Sequence, residues 1–94
     1  MQNAEIVDVL LDIAYLLGCR KESWFKIMAY RKAAQSIQEL TANVEQLARE
    51  NRLREIPGVG DAINNKITEL VNTGHLEYYE RLKAEQAEVK DDTT

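Results

Sequence analysis

Apolar residues along this chain recur with the period of a helix and nowhere with the alternation of a half-buried strand. Ile6, Val9, Leu10, Ile13, Ala14 and Leu17 share one face and predict a first helix. Gln2 or Asn3 is its expected N-cap, and Gly18 stands where a left-handed glycine ends a helix. Ser23 suits the N-cap of a second helix, with the stripe Trp24, Ile27, Tyr30, Ala34 and Ile37 and an end near Leu40. Asn43 followed by Gln46 resembles a capping box, and Val44, Leu47 and Ala48 give a short third helix its inner face.

The pattern breaks at Ile56-Pro57-Gly58-Val59-Gly60. Proline at the first corner and glycine at the second are the demands of a type II turn, whose second corner needs a positive φ. A fourth helix starts at Gly60 or Asp61, buries Ile63, Ile67, Leu70 and Val71, and closes at Gly74. Leu76, Tyr79 and Leu82 predict a short last helix, and the stripe fades from about Glu85. The expected fold is all-α, a compact bundle of four to five short helices containing one helix-hairpin-helix motif from Leu53 to Gly74. Residues 1–86 form the expected domain, and residues 87–94 an acidic, flexible tail.

Ninety-four residues allow one modest core. One cysteine (Cys19) and one histidine (His75) exclude an internal disulfide and argue against a zinc site. Cys19 reads as a half-buried thiol. The longest apolar runs are far short of the ~20 residues that cross a bilayer, and no segment reads as a signal peptide. The expected location is the cytoplasm, associated with the nucleoid in a bacterial cell.

The net charge of −4 opposes nucleic-acid binding until its distribution is considered. Residues 1–18 carry Glu5, Asp8 and Asp12 and no cation. Residues 19–32 carry Arg20, Lys21, Lys26, Arg31 and Lys32 against Glu22, a local +4. The segment 75–94 returns to −3. Screening over a Debye length of about 8–10 Å means that a phosphate responds to the basic middle more than to the sum.

The hairpin has the chemistry for such a phosphate. Gly58 and Gly60 permit close approach of another backbone. The first turn of the following helix offers unpaired N–H groups and the positive end of its dipole. Contacts of this kind position a strand without reading its bases.

Three segments carry a family resemblance: Ala29-Tyr-Arg-Lys-Ala-Ala34, Leu53-Arg-Glu-Ile-Pro-Gly-Val-Gly60, and Ile63 through Leu70 with Lys66, Ile67 and Glu69, closing on Thr73-Gly74. Over about residues 4–84 the chain resembles the N-terminal domain of family X DNA polymerases, DNA polymerase beta and its bacterial relatives. The hairpin alone occurs in many repair proteins, whereas its pairing with the upstream Ala-Tyr-Arg-Lys-Ala-Ala segment is specific. The resemblance implies docking on the backbone or 5′-phosphate of nicked or gapped DNA, without sequence preference, in repair or replication. It implies phosphate contacts at the N–H groups of Gly58, Gly60 and Ala62. It also implies K⁺ or Na⁺ on the carbonyls of Arg54, Ile56 and Val59, with no other cofactor required. A polymerase or nuclease domain, in the parent protein or in trans, is the implied partner. No membrane partner is implied.

Some family members are lyases that act through a lysine Schiff base, and that lysine aligns with Lys66. Lys26 and Tyr30 match positions that hold the 5′-phosphate and line the lyase pocket, and Arg31 or Lys32 adds a phosphate contact. Where lyase-active animal enzymes have further basic residues, this chain has Phe25, Ala62 and Tyr78. That departure weakens phosphate capture and the lowering of the Lys66 pKa.

Each of these residues has a plainer role open to it. Lys66, Lys26, Arg31 and Lys32 suit a solvated helix face, and Tyr30 suits a core aromatic with its hydroxyl at the surface. Trp24 begins the apolar stripe, so it is expected in the core, the alternative being a base-stacking platform with Phe25. Three functions from different classes therefore remain: a DNA-docking module, a lyase, and a protein-interaction bundle that has lost DNA affinity.

Overall fold

The computed structural model describes the backbone of residues 1–92 and the side chains of residues 1–87. Five helices follow one another, α1 (Asn3–Cys19), α2 (Trp24–Gln38), α3 (Val44–Arg49), α4 (Asp61–Thr73) and α5 (Glu77–Asp92), with a 3-10 turn at Leu53–Glu55. No strand occurs among the described residues. The fold class expected from periodicity is the one observed.

α1 is the pillar of the core. It buries Ile6, Val7, Leu10, Ile13, Ala14, Leu16 and Leu17. The stripe read from spacing omits Val7 and Leu16, because α1 is covered by both α2 and α5 and so buries a wider arc than one partner needs. Gln2 is the N-cap, and its N–H donates to Glu5 Oε1 at 2.9 Å. Asn3 instead serves a distant helix: its Oδ1 accepts from Val44 N–H at 2.9 Å, and its Nδ2 donates to the Ala42 carbonyl at 2.9 Å. The first turn of α3 is thus tied to that of α1.

Gly18 does not end α1. The helix continues through Cys19, and Lys21 takes the left-handed conformation at φ +58°. Glu22 N–H then donates to the Leu17 carbonyl at 3.0 Å, which satisfies an end group that a glycine cap would have served. Cys19 is exposed, not half-buried.

The four-residue link turns the chain back, and α2 packs along α1. Its buried side chains are Tyr30, Ala33, Ala34 and Ile37. Trp24 is not in the core; it stands 66% exposed in the first turn of α2, beside Phe25 at 80%. The small side chains of Ala33 and Ala34 make the close helix contact instead, and Ile27 is only partly covered.

Asn43 caps α3 by accepting from Gln46 N–H at 3.2 Å, while the Gln46 side chain turns to Glu50, so half of the expected capping box forms. Leu53, Ile56 and Val59 are all buried, which anchors the hairpin from below. α4 buries Ile63, Ile67 and Leu70 but only partly covers Val71, which spacing places in the same stripe, and it ends at Gly74 with φ +78°, as its sequence predicts.

α5 lies against α1. The Tyr79 hydroxyl donates to Asp12, and Arg20 pairs with Glu85 at 2.8 Å. Burial and the Asp12 carboxylate push the Tyr79 phenol up to about 12. The helix runs through residues 87–92, where the fading stripe predicts a frayed tail, and Thr93 and Thr94 lie outside the described residues.

Candidate nucleic-acid interface

The hairpin turn is built by local chemistry. Val59 N–H donates to the Ile56 carbonyl at 3.0 Å, and Gly58 takes φ +89° at the second corner. A Cβ at Gly58 would lie 2.9 Å from Lys32 Cγ and 3.4 Å from the Ala33 nitrogen. This glycine therefore serves two ends, the left-handed corner and the seating of the turn on α2. Gly60 differs. It is the N-cap of α4 in extended conformation, and a Cβ there would meet nothing within 4 Å.

α4 starts from a residue with no side chain to cap it. The first bond onto its N-cap runs from Asn64 N–H to the Gly60 carbonyl at 2.8 Å. The N–H groups of Asp61, Ala62 and Ile63 have no intrahelical acceptor, and they stand at the positive end of the dipole. The Asp61 carboxylate shares this end and disfavours a second anion, but Arg54 pairs with it at 3.0 Å and offsets its charge.

Because the hairpin sits on α2, the start of α4 faces the α2 side chains across a cleft of about 430 Å³. Lys26, Tyr30, Gly58, Gly60, Ala62 and Lys66 all line it. The sequence marks these six residues on three separate segments, and the fold brings them to one place. Arg31 is not among them: it lines a different groove, across α2. The stem of Lys32 lies over Gly58 and closes the tip of the hairpin. Ile56 and Val59 have buried side chains, so only their backbone is free for a ligand.

Two cations face the cleft. Burial first, and the charge of Lys26 second, hold the Lys66 amine below the ordinary lysine range, with Glu69 opposing. The Lys66 Nζ also lies 4.6 Å from the centroid of the Tyr78 ring. This cation–π contact favours the ammonium. Burial, and then the neighbouring Tyr78 hydroxyl, raise the phenol of Tyr30, which stays protonated and able to donate.

Tyr78 is the residue that sequence reasoning placed least well. It appears in the pattern only as a missing cation, yet its ring closes one wall of the cleft. It arrives through the packing of α5, which no local signal in residues 53–74 reports. Ala29 and Ile63 add apolar surface to the lining, and Asp61 places one carboxylate in it.

Neither cation of the cleft is held in an ion pair among the described residues. Arg20, Arg49, Arg52, Arg54 and Lys83 all sit in ion pairs. Lys21, Lys26, Arg31, Lys32, Lys66 and Arg81 form none among the described residues. No three His, Cys, Asp or Glu side chains gather as a metal cluster among the described residues. No described helix is long and apolar enough to cross a membrane.

A positive φ at the hairpin corner, an uncapped helix start and a cation-lined cleft between them are features of a fold that grips a nucleic-acid backbone. A family model described as a helix-hairpin-helix domain matches residues 1–76, and domains of this type generally bind DNA. The chain belongs to the helix-hairpin-helix domain family.

Proposed function

We propose that the cleft between α2 and the hairpin docks a phosphate of nicked or gapped DNA, the 5′-phosphate at the gap being its preferred ligand. The observation that carries this reading is the convergence of Lys26, Lys66 and the free N–H groups at the start of α4 on one cleft. An N-terminal helix dipole, two ammonium groups and a neutral phenol donor together suit a dianionic terminal phosphate better than an internal diester. The contacts read no bases, so binding is independent of sequence. The resemblance to family X polymerase N-terminal domains supports a role in repair or replication, beside a polymerase or nuclease domain.

The Arg54 carbonyl belongs to the 3-10 turn and those of Ile56 and Val59 to the turn that follows it, where the Ile56 carbonyl already accepts from Val59 N–H. Neutral backbone oxygens fit a weakly held monovalent ion such as K⁺ or Na⁺ and not a soft metal. Such an ion would add positive charge beside the phosphate path.

The test is affinity for a one-nucleotide-gapped duplex with and without the 5′-phosphate. Tighter binding of the phosphorylated gap is expected, weakened in Lys26→Gln and Lys66→Gln. Equal affinity for both duplexes would contradict the terminal-phosphate reading.

A second reading rests on the lowered pKa of Lys66. A neutral Lys66 amine adds to the C1′ aldehyde of an opened abasic sugar, and water leaves to give an imine. Loss of the C2′ proton to solvent then expels the 3′-phosphate. Borohydride trapping on abasic DNA, absent in Lys66→Ala, is the expected signature. No covalent adduct with wild type would leave phosphate docking alone.

A further inference from the structure

α2 has a second face that the phosphate cleft does not use. Trp24, Ile27, Met28 and Arg31 fall at i, i+3, i+4 and i+7, so they form one stripe. With Tyr15 and the end of α1 they line a groove of about 380 Å³. Tyr15 is 64% exposed. The Trp24 and Phe25 rings meet edge-to-face, with centroids 5.6 Å apart and planes at 79°, so Phe25 leaves at least one face of the indole uncovered.

Two features bear on what covers this groove. Arg31 is the one charged residue lining it. Lys21, Lys26, Arg31 and Lys32, around and along α2, form no ion pair among the described residues. An apolar protein partner would use the rings but would leave these cations without a counterpart. A single strand of nucleic acid uses both, with a base on the aromatic face and a phosphate on the guanidinium.

The distance is also suitable. On the helical wheel, Phe25 and Lys32 lie between the cleft side of α2 and the Trp24 stripe, on its solvent side. Passing round that side of a helix about 10 Å in diameter covers roughly 15 Å, about four to five nucleotides at the ~3.4 Å per-strand spacing of a duplex.

We infer that the groove between the end of α1 and the start of α2 seats an unpaired nucleobase, with Trp24 as the stacking face and Arg31 on the adjoining phosphate. The inference rests on the DNA-docking reading of the cleft and adds a single-strand subsite to it.

Trp24 is the one tryptophan of the chain, so its emission reads this groove and nothing else. The whole chain is titrated with a short oligothymidylate and with a blunt duplex of equal length. Fluorescence anisotropy of labelled DNA reports binding, and tryptophan emission with unlabelled DNA reports stacking. The oligothymidylate quenches the emission and the duplex does not. Trp24→Leu weakens oligothymidylate binding about tenfold, and Trp24→Phe restores most of it, because base–aromatic stacking is sequence-tolerant and needs only a ring face.

Unchanged emission on a strand that anisotropy shows to be bound, or unchanged affinity in Trp24→Leu, overturns the inference and leaves the phosphate cleft intact. Equal quenching by the blunt duplex overturns the unpaired-base assignment. Absence of any DNA binding by anisotropy overturns the inference together with the docking reading.

Discussion

α1 and α2 are helices of similar length, 17 and 15 residues, packed against each other and put to opposite uses. α1 buries seven side chains, and its only charged residues are Glu5, Asp8 and Asp12. α2 buries four, and its only charged residues are Lys26, Arg31 and Lys32. α1 is covered on a wide arc, so substitutions there act on stability. α2 makes its core contact with a narrow strip that includes Ala33 and Ala34, and leaves its remaining surface, with Lys26, Arg31 and Lys32, exposed. Small residues on the inner face are what allow this, since they bring the hairpin backbone close to the helix that carries the cations.

The sharpest way to break the comparison is to truncate one residue from each helix. Ile13→Ala on α1, fully buried, is expected to lower unfolding stability by about 2–5 kcal/mol in a urea melt. Lys26→Ala on α2 is expected to stay within about 0.5 kcal/mol of wild type in the same melt. A comparable loss in both would mean that α2 is as structural as α1.

The two hairpin glycines give the next contrast. Gly58→Ala must hold φ +89° and meet Lys32, and is expected to cost about 1–2 kcal/mol. Gly60→Ala, in extended backbone with nothing within 4 Å, should leave stability within about 0.5 kcal/mol. Thermal melts of the pair decide whether the tip is seated on α2 as described.

Smaller effects separate the two cations of the cleft from those in ion pairs. Lys26→Gln and Lys66→Gln should each flatten the slope of log affinity against log salt by about 0.9, one phosphate contact apiece. Lys83→Gln, whose lysine is paired with Glu80, should leave that slope unchanged.

The last effect concerns protonation. Lys66 should titrate below the ordinary lysine range when followed by NMR of its side chain, because burial and a like charge both favour the neutral amine. Lys26→Gln removes the like charge and should move the Lys66 midpoint upward. A downward move would contradict the sign.

What the sequence shows of this fold depends on how local each cause is. The turn at Ile56–Val59 and the left-handed end at Gly74 were legible because proline and glycine fix them within a few residues. Gly18 misled, since the rule that glycine ends a helix gave way to Lys21 three residues later. Trp24 misled because spacing reports which face a residue shares and not how far along the helix the partner reaches; it stands in the first turn of α2, beyond close cover. The six cleft residues were legible through turn chemistry and family resemblance, whereas Tyr78 depends on where α5 packs.

The most direct test of the central claim is an amide chemical-shift titration of the ¹⁵N-labelled chain with gapped duplex, phosphorylated or not at the 5′ side of the gap. Phosphorylation is expected to add large amide shifts at Gly60, Asp61 and Ala62, and smaller ones at Lys26 and Lys66. Shifts identical for the two duplexes, or confined to α1 and α5, would contradict it.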